Sequence, residues 1–187
     1  MSAKFELQIK NQHWLGDPPD QIHDGCSHGG IRAVVGGIVI TSDEAEYGIS
    51  QSALSLLRTL EADHCPAERV SAGYLLCHGC GYPVSFGCGN FGTDWVVRHE
   101  DGGVFLSQPS HFEPSGETEF DVRVHVPIGH YRTQVVAFAE TARDFFSRAR
   151  PRQVEDWEQD LHEQFWAEFE ARLERANAEA TATNRPA

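Results

Sequence analysis

The sequence predicts an α+β fold in which an antiparallel sheet of about six to eight strands carries one inserted helix and two C-terminal helices. Residues 5–10 and 72–126 show strand-like patterns broken by glycines, whereas apolar residues beyond 127 recur at the three- and four-residue spacing of helices. The chain has 187 residues, enough for one domain with its own core. We therefore predict a single α+β domain over residues 1–176 and a frayed or disordered tail over residues 177–187.

The N-terminal part is predicted to begin with strands. Residues 5–10 place an apolar side chain at every second position, which is typical of a half-buried strand. Residues 31–41 are rich in Val and Ile on both sides of Gly36 and Gly37. Because both glycines can adopt positive φ, this segment predicts two short strands joined by a hairpin turn.

One helix is predicted to follow, and then the main part of the sheet. From Ser50 to His64 apolar residues recur at helical spacing, with Ser50 as the N-cap and Pro66 ending the helix. Frequent glycines after residue 72 favour short antiparallel strands over a parallel sheet. The predicted strands are Gly73–Cys77, Pro83–Gly87, Asp94–His99, Val104–Ser107 and Glu119–Val126.

Two helices are predicted to complete the chain and to cover one face of the sheet. Apolar residues from Tyr131 to Ala149 step by three and four, and Pro151 separates this helix from the next. The apolar stripe of the last helix consists of Val154, Trp157, Leu161, Phe165, Phe169 and Leu173. We interpret this stripe as helix-on-sheet packing, with a solvated acidic face opposite it.

The charge of the chain restricts its partners. Fifteen Lys and Arg stand against 28 Asp and Glu, giving a formal net charge of −13. This excess excludes a nucleic-acid binder, which needs clustered cations, and favours a basic protein partner. No apolar run approaches the roughly 18 residues of a transmembrane helix, so no membrane partner is expected. The N-terminus lacks the apolar segment of a signal peptide, and we expect a cytoplasmic protein that is a monomer or a homodimer.

Cysteines around one glycine-rich segment form a candidate zinc site. Cys77 and Cys80 have the Cys-x-x-Cys spacing that can direct two thiolates at one cation, and Cys88 would be a third ligand. The fourth ligand of a tetrahedral site could be Cys26, His28, His64 or Cys65. The cysteines could instead be small buried residues, or Cys26 or Cys88 could be a reactive thiol. If the cysteines are structural, no cofactor is expected. If they bind a metal ion, we expect zinc.

Polar residues elsewhere form a second candidate site. Its members are Asp24, His64, Asp94, Trp95 and His99. Polar clusters favour functional surfaces, although a strand tryptophan is often core and a strand-end histidine often structural. The sequence contains no Gly-x-Ser-x-Gly, phosphate-loop or His-Glu-x-x-His motif, which favours a protein without enzymatic activity.

Several polar motifs follow one another in a characteristic order. They are Asp24-Gly25-Cys26-Ser27-His28-Gly29, Leu57-Arg58-Thr59-Leu60, Asp63-His64, Cys80-Gly81, and Gly87-Cys88-Gly89-Asn90-Phe91-Gly92-Thr93-Asp94-Trp95 with His99. Together with the Tyr131/Val135/Phe138 and Phe165-Trp166 helices, they resemble a family of small uncharacterised bacterial proteins found beside secreted polymorphic toxins. The segment Cys77-His78-Gly79-Cys80 departs from that family, in which two cysteines are adjacent before the glycine.

The resemblance implies a function that agrees with the charge. Small acidic proteins of this kind look like immunity proteins. The resemblance therefore implies a non-enzymatic protein that binds and neutralises a cognate toxin. An acidic inhibitor would be attracted to the basic active site of a toxin that acts on nucleic acid. The alternative function is a small zinc-binding protein with a structural or catalytic Cys/His site.

Overall fold

Ten strands and three helices make up the described part of the computed structural model, which comprises residues 4–16, 24–71, 73–77, 91–149 and 151–183. Side chains are described up to residue 180. Every pair of strands in these ranges is antiparallel. The predicted α+β class is confirmed, with the strands distributed over three sheets.

The first sheet has three strands. Strand β1 (Phe5–Ile9) pairs with β3 (Ile31–Val35), which pairs in turn with the edge strand β4 (Ile38–Val39). Gly36 and Gly37 join β3 to β4 with φ angles of 61° and 87°. Both the strands and the glycine turn agree with the prediction from the sequence.

A two-stranded sheet precedes the first helix. Strand β2 (His28–Gly29) pairs with β5 (Tyr47–Gly48), and helix α1 (Ile49–Arg58) begins directly after β5. Nine of its ten residues are buried, including three serines. This helix is therefore packed on almost all sides.

The predicted ends of α1 were wrong. Gly48, in an extended conformation, occupies the N-cap position, and Ser50 lies inside the helix with its hydroxyl 2.9 Å from that of Ser27. The helix ends at Arg58 rather than at His64, because the chain around His64 pairs with a strand of the main sheet instead.

The main sheet has five strands. Strand β8 (Gly103–Glu113) lies at its centre between β7 (Gly92–Glu100) and β10 (Arg123–Pro127), and β9 (Gly116–Glu119) also pairs with β8. The short strand β6 (Leu76–Cys77) pairs with the other edge of β7. Gly102, one of the glycines predicted to form turns, lies in the turn between β7 and β8 with a φ of 75°.

The strand predicted over residues 119–126 is divided into β9 and β10, because residues 120–122 do not belong to a strand. There the Phe120 amide donates to the carbonyl of Pro109 instead of continuing a regular pair. The strand predicted over residues 83–87 lies outside the described residues.

The C-terminal helices pack on each other and on α1, and α2 also packs on strands of the sheets. Helix α2 (Ile128–Ser147) contacts β1 and α1, and α3 (Gln159–Thr183) contacts α2 and α1. Trp157, predicted to lie on the apolar stripe, is 63% exposed. Residues 156–158 form a 3₁₀ turn before α3, so the spacing counted from Val154 does not continue on one face. Neither these helices nor α1 has the length and apolarity needed to cross a bilayer, within the described residues.

The end of α3 also differs from the prediction. The helix continues to Thr183, which corrects the tail predicted from residue 177, while residues 184–187 lie outside the described ranges. Two contacts with α2 hold the segment: Asn177 donates to Glu140 over 3.2 Å, and Arg132 to Glu179 over 2.6 Å.

The hydrophobic core joins most of these elements. One cluster of buried side chains includes members from β1, β3, α1, the main sheet and both C-terminal helices. Its largest fully buried members are Trp95, Tyr47, Tyr131, Phe5, Phe165 and Phe169. Trp95 lies on β7, so the core begins directly beneath the site described next.

Candidate functional site

A bulge interrupts the pairing of β7 with β8. Opposite the single residue Trp95, β8 has two residues, Gln108 and Pro109. Proline has no amide hydrogen to donate to a ladder, so a strand that contains it favours a bulge at that point. Gln108 adopts a φ of 50°, in the left-handed region that residues other than glycine rarely occupy.

A cleft of about 780 Å³ lies over this bulge. Its walls contain the aromatic side chains of Tyr74 and Phe120, and Trp95 also borders it. Its charged lining residues are Arg69, Asp94, Glu117, Glu119, Asp121 and Arg123. We refer to this feature as the bulge cleft.

Two members of the polar cluster considered in the sequence, His64 and Asp94, form a buried pair, and Asp94 lines the bulge cleft. His64 Nε2 lies 2.9 Å from Asp94 Oδ1, and the amide of Val70 donates to His64 Nδ1 over 3.2 Å. An amide N–H can only donate, so Nδ1 must accept, and Nε2 carries the hydrogen that is donated to Asp94. Both ring nitrogens are therefore engaged, which leaves His64 no lone pair for a metal ion or a substrate proton.

Asp94 connects this pair to the cleft. Its Oδ1 also accepts the amide of Leu75 over 3.2 Å, and its Oδ2 lies 3.6 Å from the guanidinium of Arg69. The same guanidinium lies 5.1 Å from the centre of the Tyr74 ring, within the range of a cation–π interaction. A buried carboxylate and an aromatic ring thus hold one cation at the edge of the cleft.

The environment of Tyr74 shows the balance of charge there. Burial raises the pKa of the Tyr74 hydroxyl, and the nearby cation Arg69 opposes this increase. The carboxylates of Glu117 and Asp94 raise the pKa further. Tyr74 is therefore a neutral ring at physiological pH, with carboxylates close to it.

His99 forms a separate pair with Asp63. The Asp63 carboxylate accepts the His99 amide over 2.8 Å and lies 3.0 Å from the imidazole, and Arg98 donates to it over 3.1 Å. Burial alone would raise the pKa of Asp63, but the hydrogen bonds from His99 and Arg98 outweigh it and hold the pKa below its ordinary value. Both residues of the pair are about one-third exposed.

Asp24 and two of the predicted zinc ligands lie together near β2. Asp24 accepts the amides of Leu15 and Cys26 and lies 3.4 Å from His28 Nε2. The Cys26 thiol donates to the carbonyl of Ser27 over 3.5 Å. Asp24 thus contacts residues of its own loop and of β2. It is not part of the His64–Asp94 pair.

The other predicted zinc ligands are only partly described. The Cys77 thiol donates to the Gln51 side-chain oxygen over 3.3 Å. Cys80 and Cys88 lie outside the described residues. Within the described ranges, no group of three His, Cys, Asp or Glu side chains has the arrangement of a metal site.

One series of hydrogen-bonded polar side chains was not predicted from the sequence. Tyr47, Thr93, His111 and Glu113 are linked in that order by contacts of 3.1, 2.7 and 2.7 Å. Burial raises the pKa of Tyr47 to about 12, against the effect of its hydrogen bond with Thr93. His111 and Glu113 are two positions apart on one strand and so share a face, but the strand was predicted to end at Ser107.

Comparisons with known proteins found no relative of this chain. No family model, no curated protein and no solved structure matches the chain.

Proposed function

We propose that the chain is a non-enzymatic acidic binding protein, an immunity-type protein of the bacterial cytoplasm that binds and neutralises a cognate basic toxin. The net charge of −13 supports this proposal, because it would attract a basic partner and accelerate its association. The resemblance of the polar motifs to the family of small proteins beside polymorphic toxins supports it independently.

The single observation that carries the proposal is the acidic border of the bulge cleft. All four residues of β9 are exposed, and two of them are Glu117 and Glu119. Asp121, two residues after Glu119, is also exposed. None of these three carboxylates forms an ion pair with another described residue. They are therefore available to cations of a partner.

The chemistry of the described site favours binding over catalysis. Both nitrogens of His64 are engaged in hydrogen bonds, and Asp94 is held by two donors. The thiols of Cys26, Cys65 and Cys77 are buried. These groups act as fixed parts of the fold, which is what a binding surface requires. The zinc alternative stays a prediction from the sequence, since two of its cysteines lie outside the described residues.

The first test is neutralisation of a toxin encoded beside this protein. The toxin-like open reading frame adjacent to the gene is expressed in a sensitive bacterium with and without this chain. We expect growth to be restored and the two proteins to purify as a stoichiometric complex. Association of the purified proteins should slow by roughly tenfold or more between low and high salt, because steering by exposed charges is screened.

One outcome would contradict the proposal directly. If this chain is expressed in excess and the cells still die, with no complex on gel filtration, it is not the immunity protein of that toxin. An association rate independent of salt would separately remove the role given to the charge.

A further inference from the structure

We propose that the bulge cleft binds an arginine side chain of the partner, with the guanidinium placed against the carboxylates of β9 and the aromatic wall. This inference rests on the proposed function and adds to it a binding site and the chemical group that the site recognises.

The chain itself places one guanidinium in this environment. Arg69 lies over the Tyr74 ring at 5.1 Å and 3.6 Å from Asp94 Oδ2, and its side chain remains about one-third exposed. A planar guanidinium can stack on an aromatic ring and still reach a carboxylate, which the compact ammonium of lysine does less well. The aromatic and acidic groups of the cleft are thus suited to this cation.

Negative charge remains after Arg69 and Asp94 are paired. Glu117, Glu119 and Asp121 then face a single further cation, Arg123. Glu117 lies close enough to Tyr74 to raise the pKa of its hydroxyl. Glu117 and Glu119 are two positions apart on β9, so their side chains share one face of the strand. Two carboxylates on one side of the cleft can bind a guanidinium through several N–H donors.

The cleft has room for an inserted side chain. Its volume of about 780 Å³ is within the range of small-molecule sites, which is roughly 300–1,000 Å³. A metal ion is a poorer occupant, because no group of three metal-ligating side chains is found within the described ranges. A long organic cation uses both the acidic border and the aromatic wall.

The frame of the cleft is fixed before a partner arrives. Gln108 is held in a left-handed conformation at the bulge, and its amide donates to the carbonyl of Val122 over 3.3 Å. Asp94 is held by His64 and by the amide of Leu75. A site built on such positions loses little conformational entropy when it is occupied.

The test uses two peptides and two charge-matched variants of the full chain. Binding of acetyl-Gly-Arg-Gly-amide and acetyl-Gly-Lys-Gly-amide is followed by ¹⁵N–¹H NMR, in which each amide reports its own surroundings. The site variant is Glu117→Gln with Glu119→Gln. The control is Asp160→Asn with Glu174→Gln, which removes the same charge from exposed positions of α3. All four substitutions are at exposed positions, so both variants should keep the fold.

We expect the arginine peptide to shift the amides of Trp95, Ser110 and Glu117. Its dissociation constant should rise at least fivefold in the site variant and remain within about twofold in the control, since remote charges are screened in 0.15 M salt. The lysine peptide should bind the unmodified chain more weakly. Equal effects of the two variants, equal binding of the two peptides, or shifts elsewhere on the surface would each overturn the inference.

The toxin assay separates this inference from the proposed function. If the site variant loses the peptide and also neutralises the toxin poorly, both stand. If it neutralises the toxin as well as the control does, the cleft is not the docking site, although the proposed function stands. If the arginine peptide binds in the cleft but no toxin is neutralised by any form of the chain, the proposed function fails and the site stands.

Discussion

Two histidine–aspartate pairs in this protein show how burial changes the value of the same contact. His64 is fully buried against Asp94, whereas His99 and Asp63 are each about one-third exposed. Water can replace a lost partner at the exposed pair, but it cannot readily reach the buried one. Similar distances therefore correspond to different contributions to stability.

Replacement of Asp94 by alanine should test this difference. It leaves the His64 Nε2–H and the Leu75 amide without an acceptor, so we expect the free energy of unfolding to fall by about 2–4 kcal/mol. The Asp63→Ala variant removes the exposed pair and should cost only about 1 kcal/mol or less. Urea denaturation at neutral pH measures both values. Equal losses would show that the buried pair is no more important than the exposed one.

Residue identity alone predicted part of the site. The sequence analysis grouped His64, Asp94 and Trp95 with Asp24 and His99, and the structure brings His64 into contact with Asp94, the neighbour of Trp95 on β7. Arg69 lies in a segment without periodicity, so no pattern indicated its contact with Asp94. The partners of Asp24 and His99 depend on how loops fold back, which local sequence does not encode.

At the scale of elements, the spacing of apolar residues and the positions of turn-forming residues predicted most of the strands and helices. The β3–β4 hairpin and helix α2 follow from alternation, paired glycines and helical spacing. Strand β8 was predicted to end at Ser107, directly before Gln108 and Pro109. The bulge absorbs these two residues and allows the strand to continue to Glu113. A tertiary pairing thus overrides a local signal.

The glycine at the start of the β3–β4 turn gives a prediction at this scale. Gly36 has a φ of 61°, and a Cβ atom there would lie 2.5 Å from Val122 Cγ1. Gly36→Ala should therefore combine backbone strain of about 1–2 kcal/mol with the cost of displacing Val122.

A matched control separates the two costs. Gly102 also has a positive φ of 75°, but its Cβ would have no neighbour within 4 Å. Thermal unfolding should show Gly36→Ala destabilised more than Gly102→Ala. If the two variants melt at the same temperature, contact with Val122 contributes nothing and only the backbone angle matters.

At the scale of the whole molecule, an ion-pair network joins helices that are far apart in the sequence. Arg58 of α1 donates to both oxygens of Glu168 on α3, over 2.8 and 2.7 Å, and also to the carbonyl of Val70. Arg172 adds a further bond to Glu168. The hydrogen bond from Arg58, followed by that from Arg172, lowers the pKa of Glu168 to about 2, against the opposing effect of its partial burial.

This lowered pKa predicts how stability depends on pH. The folded state favours the ionised form of Glu168, so its contribution is complete above its ordinary pKa of 4.5 and is lost as the pH falls toward 2. Glu168→Gln should cost about 1–2 kcal/mol at pH 7, a value reduced for its partial exposure, and should flatten the stability curve between pH 4.5 and 2. Urea denaturation at several pH values measures both effects.

The control for this experiment lies on the same helix. Glu174 is exposed and forms no ion pair with another described residue. Glu174→Gln should change stability by less than about 0.5 kcal/mol. A pH profile of Glu168→Gln that parallels the unmodified chain would show that the network does not stabilise the fold.

The global class was predictable, but the arrangement of layers was less so. Alternating segments before residue 127, interrupted by one helix, and helical segments after it indicate an α+β protein, and the structure confirms this class. The division of the strands into three sheets depends on which edges meet in space. No local period specifies that choice, since each short strand could pair on either side.

The segment from Asp63 to Ser71 belongs to neither a helix nor a strand of the sheets, yet it is tied at several points. His64 exchanges two amide–carbonyl bonds with Val97, its ring holds Val70, and Arg58 holds Ser71. Its length is therefore set by distances between fixed anchors. Insertions and deletions, which irregular surface segments usually tolerate, would here pull the imidazole away from Asp94 and open the floor of the cleft. During divergence, this irregular stretch should keep its number of residues as strictly as a strand does.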